Sequence, residues 1–163
     1  MSFTIYVFAA PENRVEAQQL KVELARAGVH VNYADSTAQK LQQFKQNDTD
    51  YAILLVSDNL LKSLDLTPKL EILLEDSYRD RVLPIIANGY AATPEGEIKS
   101  QSTEISTLNN VMYYRDYWYE TWISLRKKAK EESGDALAAI ELLKDTAKRM
   151  SVGVISTFIR KIN

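Results

Sequence analysis

The chain contains no cysteine, so disulfides, thiolate nucleophiles and cysteine-held metals are excluded. It has a single histidine, His30, in a run that reads as a strand opening. A Ser-His-Asp triad or a histidine-rich metal centre is therefore not expected. Glycine is scarce, five residues in 163, and no G-x-G-x-x-G or Walker A pattern follows a strand. A phosphate-cradling glycine loop is excluded with it. No apolar run approaches the roughly 18 residues of a membrane-spanning helix. "MSFTIYVF" enters a strand pattern without a basic segment or cleavage signature, so neither a signal peptide nor a membrane partner is expected. The expected location is cytoplasmic.

An excess of one charge is also missing: 20 basic and 22 acidic side chains leave a net charge of −2. The basic runs Arg126-Lys127-Lys128 and Arg160-Lys161 lie in helical patterns and read as solvated faces. Nucleic acid is not an expected partner, because phosphate binding needs clustered cations.

What is present is an alternation. "FTIYVFAA" is a short apolar run rich in β-branched and aromatic residues, the pattern of a buried strand. "PENRVEAQQLKVELARAG" places Val15, Leu20, Leu24 and Ala27 at helical spacing and ends on Gly28 as a cap. "VHVNYA" reads as a strand, and "DSTAQKLQQFKQND" as a helix opened by Asp35 or Ser36. "TDYAILLVS", "DLTPKLEILLEDSYRD" and "RVLPIIA" repeat the alternation, and "NNVMYYRD" reads as a fifth strand. The expected fold is α/β: a flavodoxin-like open parallel sheet of about five strands, order 2-1-3-4-5, with right-handed crossovers and helices on both faces. "GYAATPEGEIKSQSTEIST" reads as a long loop. The expected organisation is an α/β domain over residues 1–132 and a helical extension over 133–163. The extension carries a seam: Leu137, Ile140, Leu143, Ala147, Met150, Val154, Phe158 and Ile162. Such a seam either packs on the domain or leads to another domain or a partner chain.

Ligands of open α/β sheets bind outside the carboxyl ends of the strands. The third strand ends near Ser57, and the next helix is expected to open near Thr67-Pro68, with Thr67 as cap. Glu71 then falls in its first turns, towards the crevice. Glu75 lies about 6 Å further along the axis and Asp76 on the solvent side. A receiver-type acidic pocket is not expected, because "YYRD" supplies no lysine after the fifth strand.

The segment order resembles a TIR domain over residues 3 to about 125. "LLVSDNLLKS" is similar to that family's third strand and its continuation, with Ser57, Asn59, Leu61 and Ser63 at the matching positions. "KLEILLEDSYRDRVLPII" is similar to its glutamate-bearing helix and V-x-P-I strand, and the Glu71-to-Pro84 spacing is the most specific part. The resemblance implies an NAD⁺ nucleosidase with Glu71 catalytic, NAD as substrate, no cofactor and no metal. It also implies activation by self-association, in signalling or defence. Phe8, Ala9, Ala10, Asp35, Ser36, Ser57 and Thr67 are the substrate-binding positions it suggests. The sequence departs from the family at Ala10, where a serine is usual, and at Thr67, where a tryptophan is common. Its loop after the second strand is short. Three other readings remain: a non-catalytic TIR scaffold; an enzyme similar to nucleoside 2-deoxyribosyltransferases, whose opening "IYVFAAPENRVEAQQLKVELARAGVHV" resembles; and a plain interaction module whose C-terminal seam binds a partner helix.

Overall fold

The computed structural model describes residues 2–34 and 36–163. The chain divides into two compact units, Met1–Leu60 with Ile72–Thr103, and Leu61–Glu71 with Glu104–Asn163. The first unit holds a parallel sheet of β1 (Thr4–Phe8), β2 (His30–Asn32), β3 (Tyr51–Val56) and β4 (Val82–Ile86). Its order is β2-β1-β3-β4, with Thr4 opposite His30, Ile5 opposite Tyr51 and Ala52 opposite Val82.

Side chains of successive strand residues point to opposite faces, so a strand covered on both sides must be apolar throughout. β3 meets that demand: Ala52 to Val56 are all buried. On one face, Ile5, Val7, Ile53, Leu55 and Ile85 pack with Ala17, Leu20 and Leu24 of α1 (Arg14–Arg26). On the other, the Tyr6 ring stands edge-on to Phe44 of α2 (Thr37–Gln46), their centroids 6.1 Å apart. Helices on both faces, as the alternation predicts, follow from this pattern.

The α1 stripe differs in one position. Ala17, Leu20 and Leu24 share a face, whereas Val15 is 60% exposed. Two residues before Ala17 is about 200° around the helix, the far side. Gly28 caps the helix as expected: at φ +82 it lets the Val29 N–H reach the Leu24 carbonyl at 3.0 Å.

The expected fifth strand is a helix. "NNVMYYRD" opens α5 (Leu108–Ala129), which Thr107 and Asn110 start with a reciprocal capping box. Tyr114 and Trp118 are its buried face, whereas Met112 and Asp116, which a strand would place on that same face, are exposed. The expected long loop instead contains an antiparallel hairpin, β5 (Gly89–Ala92) with β6 (Ile98–Gln101), separate from the main sheet.

β4 is therefore the edge of the sheet. The Ala87 N–H donates to the Val56 carbonyl at 2.8 Å, so alternate residues back from Ala87 face β3 and Pro84 faces outward. Proline lacks the N–H that an outer neighbour would need, which is why this position tolerates it.

The second unit is helical: α4 (Leu66–Leu70), α5, α6 (Gly134–Arg149), a π-helical turn (Met150–Val154) and α7 (Ile155–Ile162). The C-terminal seam packs along α5. Of its expected members Ala147, Met150 and Phe158 are buried, while Val154 is only half-buried and Leu143 is exposed; Ser151, Ile155 and Ile159 continue the buried stripe from Ala147. Steps of four residues outrun a 3.6-residue turn by about 120° over twelve residues. The wider π turn absorbs the excess and keeps the stripe on α5.

Trp118 anchors the segment that opens this unit. Its indole N–H donates to the Leu61 carbonyl at 2.9 Å, satisfying a group left open where α3 (Asp58–Leu61) ends. The Lys62 ammonium donates to the Tyr113 hydroxyl at 2.6 Å and lies over the Tyr113 and Tyr117 rings.

Candidate functional site

The serine–asparagine motif after β3 is built of structural bonds. The buried Ser57 hydroxyl accepts from the Leu60 N–H at 3.1 Å. Asn59 grips the backbone of Tyr90 from both sides, donating to its carbonyl at 2.9 Å and accepting from its N–H at 2.7 Å. Ser63 accepts from the Leu66 N–H at 3.0 Å and opens α4. Thr67 is therefore not the cap. It is fully buried, one residue inside the helix, and its carbonyl accepts from the Glu71 N–H.

The expected single helix around Glu71 is broken. α4 ends at Leu70, Glu71 begins a 3-10 turn to Leu74, and Glu75 is extended before a second such turn over Asp76–Arg81. Glu71 thus stands in the second turn counted from Leu66, where α4 passes into the 3-10 turn. Its partner is a cation: Arg149 Nη1 lies 3.0 Å from Glu71 Oε2. Both side chains are about half exposed, so the pair contributes at most about 1 kcal/mol.

This pair lines a groove in the second unit. Its volume is about 600 Å³, and Asp145, Lys148, Val152, Gly153, Val154 and Thr157 complete its open, largely apolar wall. The Lys148 ammonium sits 5.6 Å from the Trp122 ring centre. Thr157 accepts from the Arg160 guanidinium at 3.3 Å. Among the described residues, no group of three acidic or histidine side chains is placed to hold a metal, and no helix is long and apolar enough to cross a membrane.

Of the positions expected to bind substrate, Thr67 shares the second unit with Glu71. Phe8, Ala9, Ala10, Ser36 and Ser57 belong to the first. Phe8 is buried at the end of β1 with the Lys40 ammonium 5.1 Å from its ring centre. Ala9 packs with the α1 face, and Ala10 is buried and accepts from the Asn13 N–H at 2.9 Å. Ser36 is exposed and caps α2, accepting from the Gln39 N–H at 3.3 Å. Asp35 lies outside the described residues.

The first unit also holds a polar cluster at the carboxyl end of β1 that the sequence reading did not single out. Asn13, fully buried, donates to the Asn88 carbonyl at 2.8 Å. The Tyr90 hydroxyl donates to Glu16, and this bond, with burial and the carboxylate's charge behind it, raises the Tyr90 pKa. Asn13 Oδ1 and Glu16 Oε2 are buried without a protein partner. Lys40, also buried, donates to the Val7 carbonyl at 2.7 Å. The available signal was the i,i+3 pair of polar residues directly after a strand. Arg149 and Lys148 were missed as well; their signal was a cation pair inside the helical seam, a few residues before Gly153.

Comparison with known proteins finds no matching family model, curated protein or solved structure. The class of this protein is therefore defined by its fold: an open parallel α/β sheet with an added helical unit.

Proposed function

We propose that the chain is a TIR-like NAD⁺ nucleosidase, with Glu71 as the catalytic carboxylate and a signalling or defence role. The observation that carries this reading is the position of Glu71. It comes between β3 and β4, thirteen residues before Pro84, and lines a groove with two cations. Support comes also from the sheet order β2-β1-β3-β4, which suits the resemblance stated from the sequence.

Nicotinamide leaves NAD⁺ as a neutral molecule when the bond from ribose C1′ to the ring nitrogen breaks. The bonding pair goes to that nitrogen, and positive charge develops on the sugar, as in glycoside hydrolysis. A carboxylate beside the ribose offsets that charge without any metal or histidine. Water then adds at C1′ and loses a proton, giving ADP-ribose. An internal nucleophile in place of water gives a cyclic isomer. Arg149 orients Glu71 through their shared bond. Activity is expected to rise on self-association.

The same ion pair favours a second reading. A carboxylate already satisfied by a guanidinium suits a non-catalytic scaffold, in which Glu71 only ties α4 to α6. One assay separates the two. Concentrated protein is incubated with NAD⁺, with and without a crowding agent, and the products are separated by chromatography. Nicotinamide release that is lost in Glu71→Ala and retained in Glu75→Ala supports the enzyme. Absence of release at every concentration supports the scaffold.

A further inference from the structure

We infer that the outward face of α6 is a self-complementary surface on which a second copy of this chain docks, its α6 antiparallel to the first. The inference names a surface for the self-association expected above and rests on that reading only for its link to activity. The docking itself follows from the helix face, whether or not Glu71 cleaves NAD⁺.

Three observations carry it. The first is the order of residues along the face. Ala147 is fully buried in the seam. Asp145 and Arg149 each lie two residues from it, about 200° around the helix, and so straddle the middle of the opposite face. Leu142 stands three residues before Asp145 and Val152 three after Arg149. These two apolar side chains are 70% and 72% exposed. Along the face the order is thus apolar, acid, base, apolar. An antiparallel copy presents the same order reversed. The copy's Arg149 then comes level with Asp145, and the copy's Val152 level with Leu142. A two-fold axis makes each contact occur twice.

The second observation is the balance of charge. Glu71, Asp145, Lys148 and Arg149 set two acids and two bases on the groove wall. Such a surface offers little to a ligand of one sign, and is matched by a surface with the same alternation. Arg149 can meet the copy without leaving Glu71. A guanidinium has five N–H donors, and Glu71 Oε2 accepts from Nη1 at 3.0 Å.

The third is space. A Cβ placed on Gly153, beside Val152, would meet nothing within 4 Å. The open groove around it has a volume of about 600 Å³. The copy's Leu142 comes within about 1.5 Å of the level of Gly153, one residue's rise, and is the side chain that fills this notch. One helix pair buries less than the roughly 800 Å² per partner of a standard interface, so the dimer is weak and forms at high protein concentration.

The test is sedimentation equilibrium of the full chain from about 10 μM to about 1 mM, the range of weak association. The dimer fraction should rise across it. Asp145→Arg and Arg149→Asp each set like charges against one another across the axis, and each should weaken association about tenfold or more. Both positions are exposed, and circular dichroism checks that the variants fold. An equimolar mixture of the two should associate again, because position 145 of one chain then meets position 149 of the other with opposite charge at both contacts. Leu142→Ser should also weaken the dimer. Glu12→Arg, an exposed reversal in the first unit, should leave it unchanged. A parent that stays monomeric throughout, a dimer untouched by Asp145→Arg and by Leu142→Ser, or a mixture no better than its components overturns the inference. Dimerisation without nicotinamide release at any concentration keeps it and removes the nucleosidase reading. Release by a chain that stays monomeric does the opposite.

Discussion

Replacing Tyr6 by Phe tests how the base of the sheet is held. The Tyr6 ring is buried, and its hydroxyl donates to Asp50 Oδ2 at 2.9 Å. The other carboxylate oxygen of Asp50 accepts from the Thr4 N–H at 3.0 Å. Phenylalanine keeps the ring and its edge contact with Phe44, so only the hydrogen bond is lost. A bond to a charged group contributes about 1.5–3 kcal/mol, and the variant should be destabilised by that much at pH 8. Burial, then the hydrogen bond and the charge of Asp50, push the Tyr6 hydroxyl up to about 12. The unfolded chain releases this proton near pH 10. The folded state thus binds more protons between pH 10 and 12, and its stability falls as pH rises through that window. The bond's contribution is whole below pH 10 and gone above pH 12. Urea unfolding of both proteins at pH 8, 10, 11 and 12 measures this. The other tyrosines and the lysines titrate in both, so the difference isolates Tyr6. A difference that stays constant from pH 8 to 12, or that is under about 0.5 kcal/mol at pH 8, refutes the reasoning.

Gly89→Ala should destabilise the first unit by about 1–3 kcal/mol, because the added Cβ would lie 2.7 Å from the Asp58 Cβ; chemical denaturation reads this. Gly153→Ala should stabilise the second unit by up to about 1 kcal/mol, since helical Gly gives way to Ala in open space; a higher melting temperature is the expected result. Trp118→Phe should cost about 2–4 kcal/mol, combining an unpaired Leu61 carbonyl with lost indole volume, read by urea unfolding. Glu71→Ala should abolish nicotinamide release while Glu75→Ala, at an exposed position, should not, as chromatography of an NAD⁺ digest will show.

The first four strands were legible because burial on both faces leaves an apolar run that little else produces. Gly28 was legible for an equally local reason, a left-handed cap. The supposed fifth strand was not. "NNVMYYRD" has β-prone residues, but the capping pair Thr107–Asn110 and the exposure of Met112 and Asp116 between and beside buried Tyr114 and Trp118 decide for helix. Glu71 lines a groove, but one formed by residues of the second unit and not by the strand ends towards which the sequence placed it. Its Arg149 partner stands 78 positions away, and no local pattern reports so distant a bond. The break after Leu70 was hidden as well, because Leu66, Leu70, Leu73 and Leu74 keep a helical spacing through it.

Pro84 has a consequence for any assembly of this protein. A strand added alongside β4, from another copy or from a misfolded neighbour, would find one rung of the ladder missing near the strand's midpoint. Lateral growth of the sheet is thereby disfavoured, and fibre-like stacking through this border with it. Copies that associate are then left to other surfaces, the β2 edge, the hairpin and the helices among them.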